Sequence, residues 1–135
     1  MPEGRKIIQS YQTSVARVNL RADGLTEIRF IEEYELDLPQ IEEIQNAVLK
    51  IAEEQPLYIL VVPGRFGDIT EEARKTPLFR SERTKAIAVT VKHLHQRILG
   101  NLYFKFRKAE FSNYKMFSTI KKGEAWLLSE MSTKN

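Results

Sequence analysis

The stretch Leu57 to Arg74, LYILVVPGRFGDITEEAR, constrains this chain more than any other. Leu57-Tyr58-Ile59-Leu60-Val61-Val62 is apolar at every position, so both alternating faces of a strand there must be covered. The pattern predicts a central parallel strand between two layers. Pro63-Gly64 breaks the run, and residues from Ile69 to about Leu78 are predicted as a short helix, stopped or bent near Pro77. In a sheet with helices on its faces, sites gather beyond the carboxyl ends of buried strands. A contact site is therefore expected in the loop holding Gly64, Arg65, Phe66, Gly67, Asp68 and Thr70.

The remaining segments fall into place around that strand. Tyr11–Leu20 and Leu25–Ile31 are β-rich runs separated by Asp23-Gly24, a pair suited to the positive-φ backbone of a tight hairpin. Ile28 and Phe30 share one face of the second run, with Glu27 and Arg29 on the other, which predicts a sheet half open to solvent there. Glu32, Glu33, Glu35 and Asp37 alternate with Tyr34 and Leu36 and read as a solvated acidic surface. They lack the oxygen-ligand spacing and glycine of a calcium loop.

Pro39 fits the first turn of a helix, Ile41, Ile44, Val48, Ile51 and Ala52 recur at helical spacing, and Gln55-Pro56 ends the pattern. Ala86–Val91 is a second buried-strand segment. A helix is expected over His93–Lys108, with Leu94, Ile98, Leu99, Leu102 and Phe106 on one face and Gly100 as a weak point. Tyr114–Thr119 reads as a last strand and Ile120–Met131 as a last helix anchored by Trp126 and Leu127. The alternation predicts one α/β domain over residues 1–135, with its core at about 11–128. Its mixed sheet begins with an antiparallel hairpin and continues with alternating strands and helices.

Composition enters by exclusion. The chain has no cysteine, which removes disulfides, thiolate metal sites and a cysteine nucleophile together. Its N-terminus carries polar residues where a signal peptide needs an apolar run, and no stretch is long enough to span a bilayer, so a cytoplasmic protein without a membrane span is expected. Charge is uneven: residues 1–67 hold 7 Lys and Arg against 11 Asp and Glu, and residues 68–135 hold 14 against 7. Such asymmetry serves solubility or self-association, or offers a basic face to an anionic partner. Nucleic acid is not favoured, because no aromatic-interleaved recognition motif accompanies the charge.

The chemical motifs are sparse. Gly64-Arg65-Phe66-Gly67 delivers Asp68 where a nucleotide loop would place a Lys-Ser/Thr pair, so it does not read as a phosphate cradle. Arg65 and Phe66 are residue types favoured at binding hot spots, with the alternative that Phe66 folds inward as a lid. His93 and His95, two apart on a helix, point about 200° from each other and cannot share a metal. Tyr103, Phe104 and Arg107 sit in the most aromatic and basic stretch and suit a dimer contact or a ligand groove. No catalytic constellation, cofactor motif or metal site emerges.

Several segments together resemble the STAS/SpoIIAA-like fold of anti-sigma-factor antagonists, and more narrowly a group of small, single-domain bacterial proteins of that type. They are Asp23-Gly24, Ile69-Thr70-Glu71-Glu72-Ala73-Arg74, Arg97-Ile98-Leu99-Gly100-Asn101 with Phe104, and Phe117 followed by Trp126-Leu127. The resemblance spans about Tyr11–Leu128. It implies a non-enzymatic regulatory module that binds a partner protein, in some members under control of a Ser or Thr phosphorylated at the helix start after the central strand. Here that position holds Thr70. On the residues alone, either Asp68 caps the helix with Glu71 or Thr70 is itself the cap.

The expected function is accordingly a non-catalytic interaction module, a homodimer or partner-binding regulator. The alternative is a small-molecule or lipid-binding domain with an apolar pocket under the 93–108 helix. Nucleic-acid binding through the basic half ranks third.

Overall fold

The computed structural model describes residues 4–75, 83–93, 96–98 and 113–133. Strands β1 (Ile7–Gln12), β2 (Ala16–Arg21) and β3 (Thr26–Phe30) form an antiparallel meander. After β4 (Glu33–Leu36) and helix α1 (Leu38–Ala52) come β5 (Leu57–Val62), β6 (Phe66–Ile69), the single turn α2 (Glu71–Arg74) and β7 (Thr84–Thr90). Strand β8 (Tyr114–Phe117) and helix α3 (Ile120–Thr133) complete the described elements. Six strands make the main sheet in the order β1-β2-β3-β5-β7-β8, parallel from β3 onward, while β4 and β6 pair in parallel as a separate two-stranded sheet.

The fold is thus the expected α/β one, with a mixed sheet and an antiparallel start. β5 lies between β3 and β7 with a helix on each face. Leu57 and Ile59 pack on the α1 side with Ile41, Ile44, Val48 and Ile51, whereas Tyr58 and Leu60 pack on the α3 side with Leu127. At about 1.5–3 kcal/mol for each large aliphatic side chain fully buried, these two clusters are the main source of stability. The alternation continues in β7, where Ile87 and Val89 face α1 and Ala86 and Ala88 face α3. The small face of β7 admits α3 closely: a Cβ on Gly123 would sit 3.2 Å from a Leu60 methyl and 3.5 Å from the Ala88 Cβ.

Local signals explain the ends of these elements. The β2–β3 hairpin turns at Asp23-Gly24, where Gly24 has φ +93° and the Asp23 carboxylate accepts from the Leu25 amide at 3.1 Å. α1 opens on a reciprocal cap, in which Asp37 accepts from the first turn and its own N–H donates to Gln40 Oε1 at 3.1 Å, with Pro39 in the first turn.

Four expectations need correction. Tyr11–Leu20 is not one strand: the chain turns at Thr13–Val15, and β1 reaches back to Ile7, so the start is a three-stranded meander. The acidic segment after Ile31 is not merely solvated surface, because Tyr34 and Leu36 face inward from β4 and pair it with β6. Nor is Gly64–Thr70 a simple loop, since Phe66–Ile69 is the strand β6. Finally, the Glu27 face of β3 is not open to solvent: Arg21, Arg29 and Asn19 gather on Glu27 and leave it only 4% exposed. Of the helix expected over 93–108, only His93 and residues 96–98 are described, the latter as a helical turn, and residues 76–78 of the helix expected after β6 also lie outside the described residues.

Closing that face over charge requires a network. Arg21, 2% exposed, grips Asp23 with Nε and Nη2 at 3.2 and 2.6 Å, and its Nη1 donates to Glu27 at 3.0 Å and to Glu124 of α3 at 2.6 Å. Arg29 and Asn19 also donate to Glu27, each at 3.1 Å, and Arg5 donates to Glu124 at 2.7 Å. Three guanidinium groups thereby meet three carboxylates.

Burial pushes the Glu27 carboxyl up, but the bonds from Arg29, Asn19 and Arg21 outweigh it and hold the group below its ordinary value. For Arg21, burial likewise opposes the charged form, and its bonds to Asp23, Glu124 and Glu27 overcome this and raise its pKa. Removing one member leaves the others buried and unpaired. Arg21→Met is expected to lower unfolding stability by about 3–5 kcal/mol in a urea titration. Because the folded value of Glu27 lies below its unfolded value, its contribution is complete above the ordinary glutamate value of 4.5 and is lost as pH falls through the lowered folded value. Glu27→Gln should therefore flatten the acid limb of the stability curve relative to the parent protein.

Candidate functional site

The parallel strands β5, β7 and β8 end at one edge of the main sheet, where the chain leaves through Pro63, Val91 and Ser118. Gln96, 8% exposed, organises that edge. Its side-chain amide donates to the carbonyls of Pro63 at 3.2 Å and Gly64 at 3.0 Å, and its Oε1 accepts from the His93 N–H at 3.0 Å. Thr90 donates to the Val61 carbonyl at 3.2 Å, and the Val91 amide to the Phe117 carbonyl at 2.8 Å. The exits from the three strands are thus tied together.

A cleft of about 310 Å³ opens there. Val62, Pro63 and Ile120 give it apolar walls. Lys92 and His93 reach it from the end of β7, Ser118 and Thr119 from the junction of β8 with α3, and Arg65 and Glu32 from the side.

Beside the cleft, β6 is held against the segment before and along β4 with no room between the backbones. A Cβ on Gly64 would lie 1.8 Å from the Ile31 carbonyl oxygen, and one on Gly67 would lie 2.1 Å from the Tyr34 ring. The two glycines serve close packing of chain on chain. Tyr34 covers Gly67 and stacks on Phe30 with ring centroids 4.5 Å apart. Its burial, with the Asp68 carboxylate, raises the hydroxyl pKa and keeps it protonated. The Phe66 amide donates to the Glu32 carbonyl at 2.9 Å, fixing the start of β6.

Opposite residues of a parallel pair point to the same side, so Glu33, Glu35, Phe66 and Asp68 share the outward face of this small sheet. Phe66 is 55% exposed, with the Arg65 guanidinium 5.3 Å from its ring centroid. It is not an inward lid. Among the sequence-derived contact residues, Gly64 and Gly67 are therefore buried spacers, and Arg65, Phe66 and Asp68 are presented to solvent.

Thr70 is the cap of α2: its Oγ1 accepts from the Ala73 amide at 3.1 Å and donates to Asp37 Oδ1 at 2.8 Å. This hydrogen bond joins the starts of α1 and α2. Asp68 instead accepts from the Ile69 amide at 2.9 Å, so the option that Asp68 caps the helix does not hold. Tyr103, Phe104, Arg107 and His95 lie outside the described residues.

Lys92, Gln96, Ser118 and Thr119 are not among the residues expected from sequence, which lie in the loop after β5 and in the Tyr103–Arg107 stretch. The same rule applied to the ends of β7 and β8 points to Thr90–His93 and to Ser118-Thr119. No signal in sequence reveals that Gln96 bonds to Pro63 and Gly64, more than thirty positions away. Among the described residues no group of three His, Asp or Glu could hold a metal ion, and no helix is long and apolar enough to cross a membrane.

The fold and this edge define a small α/β module with a second, two-stranded sheet beside its cleft. Residues 19–130 match a family described as Domain of unknown function (DUF7793), and the chain belongs to that family. The match begins within β2 and ends within α3, so β1 precedes it. No curated protein and no solved structure matches the chain.

Gly64→Ala and Gly67→Ala are each expected to cost about 1–3 kcal/mol of unfolding stability through overpacking. Thr70→Ala should cost about 1 kcal/mol by loss of the cap, and Thr70→Ser much less. Denaturant titrations of the purified variants measure all four.

Proposed function

We propose that the chain is a non-catalytic interaction module that acts in the cytoplasm and binds a protein partner through the outward face of β6. One observation carries the reading: Phe66 stands 55% exposed with Arg65 against its ring, on a strand that two glycines press onto its neighbour. An aromatic and an arginine presented on a rigid backbone lose little conformational freedom on binding, and both are enriched at hot spots. The resemblance to STAS domains supports the same class, a regulator working by association. Glu33, Glu35 and Asp68 beside Phe66 give the surface an acidic rim, which suits a partner with basic residues around an apolar pocket.

The cleft favours a second reading, a small-molecule binding domain. Val62, Pro63 and Ile120 give it apolar walls and Arg65, Lys92, Ser118 and Thr119 a polar rim, while most of the 93–108 helix, under which an apolar pocket is expected, lies outside the described residues.

The test is affinity capture from native lysate with the parent protein, Phe66→Ala and Leu49→Ala. Leu49, exposed on α1, is the control. A partner held by the parent and by Leu49→Ala, and bound at least tenfold less by Phe66→Ala, supports the proposal. Equal capture by all three rejects it.

A further inference from the structure

We propose that the cleft at the ends of β5, β7 and β8, which lies beside the partner surface and shares only Arg65 with it, is a binding site for a small organic oxyanion, a phosphate or carboxylate group carried on a compact apolar body. Three basic side chains, Arg65, Lys92 and His93, line it against one carboxylate, Glu32. Among the described residues, none of the three basic side chains forms an ion pair. Arg5, Arg21 and Arg29, by contrast, are matched to carboxylates, whereas Arg65 and Lys92 bring their charge to the cleft with no carboxylate within ion-pair distance among the described residues. Such charge in a concave site attracts and orients anions.

The neighbouring groups fit the same ligand. Ser118 and Thr119 bring two hydroxyls to the cleft, able to donate to oxyanion oxygens. The carbonyls of Pro63 and Gly64, which would repel an anion, are already occupied by the Gln96 amide. The Val61 carbonyl is similarly occupied by Thr90. Apart from Glu32, the polar residues left to meet a ligand are mainly donors, with Val62, Pro63 and Ile120 to contact an apolar body. A volume of about 310 Å³ suits a compact organic anion rather than a dinucleotide or a lipid chain.

The site makes a specific ranking. Phenyl phosphate and benzoate carry the charge and the apolar ring, inorganic phosphate carries the charge alone, and benzylamine carries the ring with the opposite charge. Titration of the full chain by isothermal calorimetry should show saturable binding of phenyl phosphate or benzoate at millimolar concentration or below. Inorganic phosphate should bind more weakly, and benzylamine not at all.

In amide NMR spectra the shifts should centre on residues 90–93 and 118–121. Lys92→Ala should weaken binding about tenfold, the loss of one charge-assisted contact, and Ser118→Ala should weaken it by a smaller factor. Both positions are exposed, so the variants should keep the parent's unfolding midpoint. Whichever of phenyl phosphate and benzoate binds tighter identifies the oxyanion. The proposal is overturned if neither saturates, if benzylamine binds as well as the anions, or if Lys92→Ala leaves the affinity unchanged. Because Lys92 is not part of the Phe66 face, loss of anion binding in this variant leaves protein capture as a separate result.

Discussion

Burying Leu57–Val62 on both faces is the constraint from which the rest of the structure follows. A strand apolar at every position cannot sit at an edge or on a sheet with one wet face, so it needs a neighbour on each side and a helix above and below. β3 and β7 supply the neighbours, while α1 and α3 supply the layers. The faces differ in what they accept. On the α1 side large residues meet large residues. On the α3 side Ala86, Ala88 and Gly123 let helix and sheet approach more closely.

The close approach of α3 has a consequence for β2 and β3. α3 brings Glu124 against Arg21, and Arg21 and Glu27, polar residues of the antiparallel meander, are removed from water. Desolvated charges are tolerated only when paired and hydrogen-bonded. Arg21 satisfies this by reaching three carboxylates, one of them Glu124 on α3. The network therefore fixes where α3 sits along the meander, a choice that nondirectional apolar packing leaves loose. By its ties to α3, it also helps set the position of the β8–α3 junction at the cleft.

The carboxyl edge shows the opposite electrostatic logic. Buried charge is matched around Arg21, whereas Arg65, Lys92 and His93 remain unmatched at the cleft. Next to it, β6 is pressed on the Ile31–Tyr34 segment so tightly that only glycine fits at positions 64 and 67. Rigidity at this edge comes from steric contact and from the Gln96 bonds. Two surfaces of different character, an exposed aromatic–arginine pair and a basic cleft, share Arg65 at their boundary.

Periodicity and turn chemistry in the sequence alone determined the α/β class, the central placement of β5, the core stripe of α1 and the turn at Gly24, because each depends on residues close in the chain. Sequence also brought Arg65, Phe66 and Thr70 to notice by their types and position after β5. Only the tertiary structure decided that Glu27 is buried, that β4 and β6 pair, and that Thr70 bonds to Asp37. These facts depend on residues brought together from distant parts of the chain, such as Glu27 with Glu124 through Arg21. The stretch Leu57–Arg74 shows both sides: its first six residues announce a two-sided core by composition, but its glycines declare their purpose only when Ile31 and Tyr34 arrive against them, since a missing Cβ carries no record in sequence of the atom that excludes it.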